Sequence, residues 1–133
     1  MTKPPFFIVG VGRSGTTLIR LMLHSHPNIA IPYESHFITD YSENEKLHGD
    51  LNNDQNLKML LNRILQEDLL QKWDHQFDLD TLFNSIENRT LQGVFDAIYK
   101  DYAMGKGKLR WGDKSDYLDR IHLINNIFPE IIN

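Results

Sequence analysis

The chain has 133 residues, with 14 Lys and Arg against 18 Asp and Glu, a formal charge of −4 and no cysteine. This length predicts a single domain, and the lack of cysteine excludes a disulfide framework, a thiolate nucleophile and a Cys-type zinc site. The mild acidity, the lack of an apolar run near the roughly 20 residues that span a bilayer, and the short apolar start predict a soluble cytoplasmic protein with no nucleic-acid partner, transmembrane segment or signal peptide.

The first elements predict a β-α-β unit. Residues 6–9 form a short apolar run of aromatic and β-branched residues, which is typical of a strand buried in a parallel sheet. After a glycine-rich loop, residues 16–24 favour a helix that is apolar nearly all round, and Pro27 stops it. Residues 28–31 predict a second strand, parallel to the first and reached by a right-handed crossover.

The middle of the chain is predicted to be helical. Asn52, Asn53 or Asp54 can cap a first helix, a short second helix is expected around residues 80–87, and Gly105 and Gly107 suit the end of a third. The inward stripes of the first and third helices are Leu57, Leu60, Leu61, Ile64, Leu65 and Leu69, and then Leu91, Val94, Phe95, Ile98, Tyr99 and Tyr102. Because Trp73, Phe95, Tyr99 and Tyr102 suit helical packing, we expect core roles for them rather than a substrate platform.

The last part predicts a brief extended segment, a loop and a helix. Residues 109–111 are the extended segment and residues 112–115 the loop. The helix is expected from Tyr117 or Leu118 to Phe128, with Pro129 closing it, and Ile131 and Ile132 resemble the beginning of another strand.

The glycine loop at residues 10–17 carries most of the chemical information. Its spacing is that of a Walker A loop, but Thr16 and Thr17 stand where Lys and Ser or Thr are expected. Glycines let backbone N–H groups surround an anion, and the N-terminus of the following helix adds a partial positive charge. Ser14, Thr16 and Thr17 add hydroxyl donors and Arg13 adds a cation. The loop therefore predicts a site for a phosphate-like group.

Two other interpretations of this loop are weaker. Gly10, Gly12 and Gly15 also match the dinucleotide-binding spacing, with Glu34 as the acidic residue about 20 positions on, and a glycine turn without a ligand is the simplest alternative. The missing lysine disfavours ATP, because in nucleoside triphosphatases that lysine reaches the β- and γ-phosphates. A ligand with fewer terminal charges and no need for magnesium fits better.

Residues 6–37, FFIVGVGRSGTTLIRLMLHSHPNIAIPYESHF, resemble the start of a PAPS-dependent sulfotransferase, most nearly the bacterial type that is similar to tyrosylprotein sulfotransferases. The R-S-G-T-T stretch, the H-P-N stretch at 26–28, W-G-D-K at 111–114 and the Phe128-Pro129 pair match this family. The resemblance implies a P-loop NTPase-like α/β fold with a parallel sheet flanked by helices. It also implies PAPS (3′-phosphoadenosine-5′-phosphosulfate) as co-substrate without a metal. Arg13, Ser14, Gly15, Thr16 and Thr17 would then form the loop that binds the 5′-phosphosulfate.

Three candidate catalytic residues are expected at one edge of the sheet. Loops at the carboxyl ends of parallel strands share an edge, and here they carry Arg13, Glu34 and Lys114. By resemblance, Glu34 aligns with a glutamate general base, and Lys114 and Arg13 with cations that stabilise the transferring group. His36 is the second choice for the base. Asp113 is expected to cap or orient the loop, and the six histidines lack the spacing of a metal site.

The resemblance divides the chain into a phosphosulfate-loop unit at residues 1–37, a helical insertion at 42–107 and a lysine loop with its helix at 108–133. The family's 3′-phosphate site is missing, so we expect the N-terminal portion of one sulfotransferase domain, incomplete at its C-terminus. Alone, it is expected to be unstable, dimeric, aggregating or inactive. The acceptor is expected to be a hydroxyl or amine of unknown identity. The alternatives are a P-loop kinase or NTPase and a non-catalytic nucleotide-binding fragment.

Overall fold

A computed structural model of the chain describes residues 4–9, 16–115 and 120–129. Three parallel strands form a sheet in the order β1-β3-β2, where β1 is Phe6–Val9, β2 is Ile29–Ala30 and β3 is Arg110–Ser115. Phe6 pairs with Gly112 in one register and Ile29 pairs with Arg110 in the other. The predicted α/β class, with a parallel sheet flanked by helices, is confirmed.

The predicted loop at residues 112–115 is wrong, because these residues belong to β3. Gly, Asp, Lys and Ser are common in turns, so local composition favours a loop. Pairing with β1 overrides that preference, since every residue from Gly112 to Ser115 has a partner between Phe6 and Val9. Lys114 therefore lies on a strand near its carboxyl end, and not on a loop.

The helices mostly lie where the apolar patterns predict them. Two short 3-10 helices at Glu45–His48 and Leu70–Trp73 were not expected, and the predicted start of the last helix, at residues 116–119, lies outside the described residues. The α-helices are α1 (Thr16–His24), α2 (Phe37–Ser42), α3 (Asp54–Leu65), α4 (Leu79–Ser85), α5 (Leu91–Gly105) and α6 (Ile121–Ile127).

The core lies between the sheet and the α3–α5 layer. Asn53 caps α3, because its side chain accepts hydrogen bonds from the backbone N–H groups of Gln55 and Asn56 at 2.9 and 3.1 Å. The expected packing roles of the aromatic residues are confirmed, since Trp73, Phe95, Tyr99 and Tyr102 are all buried. This layer supports β3 from one side and so fixes the strand that carries Lys114.

Candidate functional site

The candidate site lies at the carboxyl edge of the sheet. β1 and β3 reach this edge together, because Val9 pairs with Ser115. β2 ends at Ala30, and the irregular segment after it leads through Glu34 to α2. Ligands of open α/β sheets bind outside the carboxyl ends of the strands. A ligand-binding site is therefore expected at this edge.

Glu34 and Lys114 form an ion pair at this edge. The Lys114 Nζ atom lies 3.4 Å from Glu34 Oε2. The side chain of Lys114 is 14% exposed and that of Glu34 is 34% exposed, so the cation is largely withdrawn from water while the carboxylate is still accessible. The structure thus brings together two of the three candidate catalytic residues, although they are 80 positions apart in sequence.

The third candidate, Arg13, lies outside the described residues, as do Ser14 and Gly15. Thr16 and Thr17 are the first two residues of α1, and only their backbone is described. Because β1 ends at Val9 and α1 begins at Thr16, residues 10–15 connect the carboxyl edge of the sheet to the N-terminus of a helix. That connectivity is the one that the phosphate-loop motif requires.

The residues of the W-G-D-K stretch, which belong to β3, have packing and hydrogen-bonding roles in the fold. Trp111 donates from Nε1 to Asp96 Oδ1 of α5 at 2.8 Å. Gly112 leaves room for Phe6 of the neighbouring strand, since a Cβ atom there would lie 2.5 Å from the Phe6 ring. Side chains alternate between the two faces of a strand, so Trp111 and Asp113 share the face toward α5 while Lys114 projects from the other.

A buried polar chain lies behind the Glu34–Lys114 pair. The hydroxyl of Tyr99 donates to Asp113 Oδ1 at 2.5 Å, and Ser35 Oγ lies 3.4 Å from the same hydroxyl oxygen. All three residues are almost completely inaccessible to water. The sequence pattern correctly placed Tyr99 in the core but did not predict the hydrogen bond of its hydroxyl. Helical spacing indicates that a ring is buried, and it carries no information about which residue the polar atom contacts.

The segment after Glu34 is held by further contacts. His36, the second candidate base, is partly exposed at the start of α2, and its carbonyl accepts from the hydroxyl of Thr39 at 3.2 Å. Arg120, at the start of α6, donates to Thr39 Oγ1 and to Asp40 Oδ1 at 3.1 and 3.0 Å. These bonds tie α2 to the part of the chain that follows β3.

The described ranges contain no group of three or more His, Cys, Asp or Glu residues that could hold a metal ion. Within the same ranges, no helix is both long enough and apolar enough to cross a membrane.

Comparison with known proteins assigns the chain to a family. Among curated proteins none matches the sequence significantly. A family model described as the sulfotransferase family matches residues 4–132. Because this match runs from the residues before β1 to beyond α6, the chain belongs to the sulfotransferase family.

Proposed function

We propose that this protein transfers a sulfuryl group from PAPS to a hydroxyl or amine acceptor. Membership of the sulfotransferase family supports the reaction class. The observation that carries the residue roles is the ion pair of Glu34 and Lys114, 3.4 Å apart at the carboxyl edge of the sheet. It supplies a proton acceptor and a cation within one small site, as sulfuryl transfer requires.

Glu34 is the proposed general base. Its carboxylate is partly exposed, so an acceptor hydroxyl can approach it, and it takes the proton as the acceptor oxygen forms its bond to sulfur. PAPS supplies the sulfuryl group, and the bond that breaks joins sulfur to the bridging phosphate oxygen, which leaves as part of adenosine 3′,5′-bisphosphate (PAP). Glu34 then returns the proton to solvent.

Lys114 is proposed to bind and stabilise the negative charge of the PAPS phosphosulfate. An ammonium group has three N–H donors, and its 3.4 Å distance to Glu34 exceeds the roughly 2.7–2.9 Å of a tight charge-assisted hydrogen bond. Lys114 therefore has donors to offer to an incoming anion. Its low exposure strengthens that attraction, because water screens a buried charge poorly.

The loop before α1 is the proposed site of the 5′-phosphosulfate. Arg13 supplies a cation there, and Ser14, Gly15, Thr16 and Thr17 supply hydroxyl and backbone donors. The start of α1 at Thr16, just beyond the edge reached by β1, supports this assignment. A helix N-terminus stabilises anions through its unpaired N–H groups.

The first test compares nucleotides by calorimetry on the full chain. The proposal expects PAP to bind more tightly than ATP with Mg²⁺, because the loop lacks the lysine that reaches the β- and γ-phosphates. A preference for ATP with Mg²⁺ would indicate a kinase or NTPase instead. Binding of neither nucleotide would contradict the proposal that this chain by itself binds the donor, and would agree with the incomplete cofactor site expected from the sequence.

The second test separates the two catalytic roles. Release of PAP from PAPS is measured with a panel of phenol, alcohol and amine acceptors. Glu34→Gln should lower turnover at least about 100-fold and leave the affinity for PAP nearly unchanged. Lys114→Met should lower turnover at least about 100-fold and should weaken PAP binding as well.

Matched controls come from the exposed 3-10 helix at Glu45–His48. Glu45→Gln and Lys46→Met remove the same charges from solvent-exposed positions away from the described site. Both should keep wild-type turnover and PAP affinity. If Glu34→Gln retains full turnover, Glu34 is not the base, and His36→Gln then tests the second candidate.

A further inference from the structure

Tyr99 joins the two segments that carry the candidate catalytic residues. Its hydroxyl donates to Asp113, the neighbour of Lys114 in β3, and is in contact with Ser35, the neighbour of Glu34. A tyrosine hydroxyl has one hydrogen, which Asp113 accepts, and the Ser35 hydroxyl oxygen lies 3.4 Å from the same tyrosine oxygen. The polar chain thus runs from Ser35 through Tyr99 to Asp113.

The position of the Tyr99 hydroxyl is fixed by packing against β3. Its ring stacks on Trp111 with centroids 4.1 Å apart and an angle of 18° between the planes. Trp111 is in turn bonded to Asp96, one turn before Tyr99 on α5. Residues one turn apart on a helix therefore contact residues two apart on a strand. These two contacts fix the position of α5 along β3.

Burial increases the contribution of each hydrogen bond in the polar chain to stability. Asp113 and Tyr99 have no exposed surface and Ser35 has almost none. Hydrogen bonds strengthen where water is excluded, and a buried carboxylate is costly without a donor. Asp113 therefore stabilises the native position of the Tyr99 hydroxyl, and through it the segment that contains Ser35.

We propose that Tyr99 is a positioning residue, whose hydroxyl sets the distance between Glu34 and Lys114 by holding Ser35 and Asp113 at fixed places. The consequence for the reaction rests on the function proposed above, whereas the consequence for the ion pair does not. A core role alone requires only the aromatic ring. A positioning role requires the hydroxyl, which Tyr99→Phe removes while keeping the ring stacked on Trp111.

The first measurement follows the ion pair without any substrate. The Lys114 ammonium signal is recorded by nitrogen-15 NMR in the wild type and in Glu34→Gln, and the shift difference reports the contact. In the Tyr99→Phe background this difference should fall to less than about half, because the electrostatic effect of the Glu34 carboxylate on Lys114 weakens as the two groups move apart. In the Tyr102→Phe background it should be unchanged.

Tyr102→Phe is the matched control because it removes a hydroxyl from another buried tyrosine of α5. The Tyr102 ring contacts His24, Trp73 and His75. Trp73 also packs on the Tyr99 ring, so the control removes a hydroxyl within the same aromatic cluster. Equal shift differences in all three backgrounds would overturn the proposal. If Tyr99→Phe does not fold, Ser35→Ala removes the 3.4 Å contact from its other side and should reduce the shift difference in the same direction.

The second measurement is kinetic. Tyr99→Phe should lower kcat about 10-fold or more and should weaken PAP binding less than Lys114→Met does, because Lys114 keeps its charge and loses only its exact position. Unchanged kcat per folded molecule would mean a purely structural tyrosine. A changed ion pair in a protein that transfers no sulfuryl group would keep the positioning role and reject the proposed function.

Discussion

α5 and α1 both pack against the sheet, but they bury their apolar residues very differently. In α1, Leu18 and Met22 are 64% and 65% exposed, and Ile19 and Leu21 are exposed as well. The apolar residues of α5 that are buried include Leu91, Val94, Phe95, Ile98, Tyr99, Tyr102 and Ala103.

The difference follows from the two sequence patterns. α5 has one apolar stripe, and a single stripe is fully covered by one packed layer. α1 is apolar nearly all round, and the contacts within the described part of the chain cover only one of its sides. We infer that packing on α5 supplies most of the stability of the described fold. α1 contributes less, through the contacts that it makes with β1, β2 and β3.

The largest expected effect comes from the inner face of α5. Phe95 is completely buried and packs on Phe37 with ring centroids 5.5 Å apart. Phe95→Ala should lower the free energy of unfolding by about 3–5 kcal/mol, because it removes a large apolar side chain and leaves a cavity. Urea denaturation followed by circular dichroism measures this loss. A loss below about 1 kcal/mol would contradict the assignment of the core to α5.

The N-terminus of α5 should give a smaller effect. Thr90 is the N-cap, and its hydroxyl accepts from the backbone N–H of Gly93 at 3.2 Å. Thr90→Ala should cost about 1 kcal/mol of unfolding free energy, since a helix N–H group loses its partner. Thr90→Ser keeps the hydroxyl and should cost much less in the same denaturation experiment. Equal losses in the two variants would assign the effect to the methyl group instead.

Local patterns predicted the helices well because each helix carries its own signal. The apolar stripe of α5 and the Asn53 cap of α3 depend on residues close in sequence. The second part of β3 was missed for the opposite reason, whereas its first two residues lie within the predicted extended segment. Its strand character at Gly112–Ser115 comes from pairing with β1, more than 100 positions away, which no local window contains.

The site was predictable in part. Parallel strands place their carboxyl ends at one edge, and that rule predicted Glu34 and Lys114 at the same edge. It did not predict their contact, and it placed Lys114 on a loop and not on β3. It could not predict the polar chain behind them. Tyr99 and Asp113 are 14 positions apart on a helix and a strand, and their bond depends on how α5 is aligned with β3.

His24, at the carboxyl end of α1, should make the free energy of unfolding depend on pH. His24 Nδ1 accepts from the backbone N–H of Ile31 at 3.0 Å, so the imidazole must be neutral at that atom. Burial, followed by the positive charges of Lys108, Arg20 and Lys106, lowers the pKa of His24 below its ordinary value of 6.5.

A lowered pKa means that the unfolded state binds the proton more readily than the native state. The contribution of His24 to stability is therefore complete above about pH 6.5 and is lost as the pH falls through the native pKa. His24→Gln should flatten this decline by up to about 1 kcal/mol. The measurement is urea denaturation at a series of pH values. His122→Gln, at an exposed position of α6, is the control and should leave the slope unchanged.

The smallest expected effect tests the outer side of α1 directly. Met22 is largely exposed, so Met22→Ala should change the free energy of unfolding by less than about 0.5 kcal/mol. Alanine also has the higher helix propensity, which favours a change near zero. A loss above about 1 kcal/mol in urea denaturation would mean that this side of α1 is covered in solution, because only a buried methionine costs that much to truncate. Repeating the experiment at several protein concentrations would then show whether a second copy of the chain or another part of the same chain covers Met22. A second copy of the chain makes the loss concentration-dependent, whereas a contact within the chain does not.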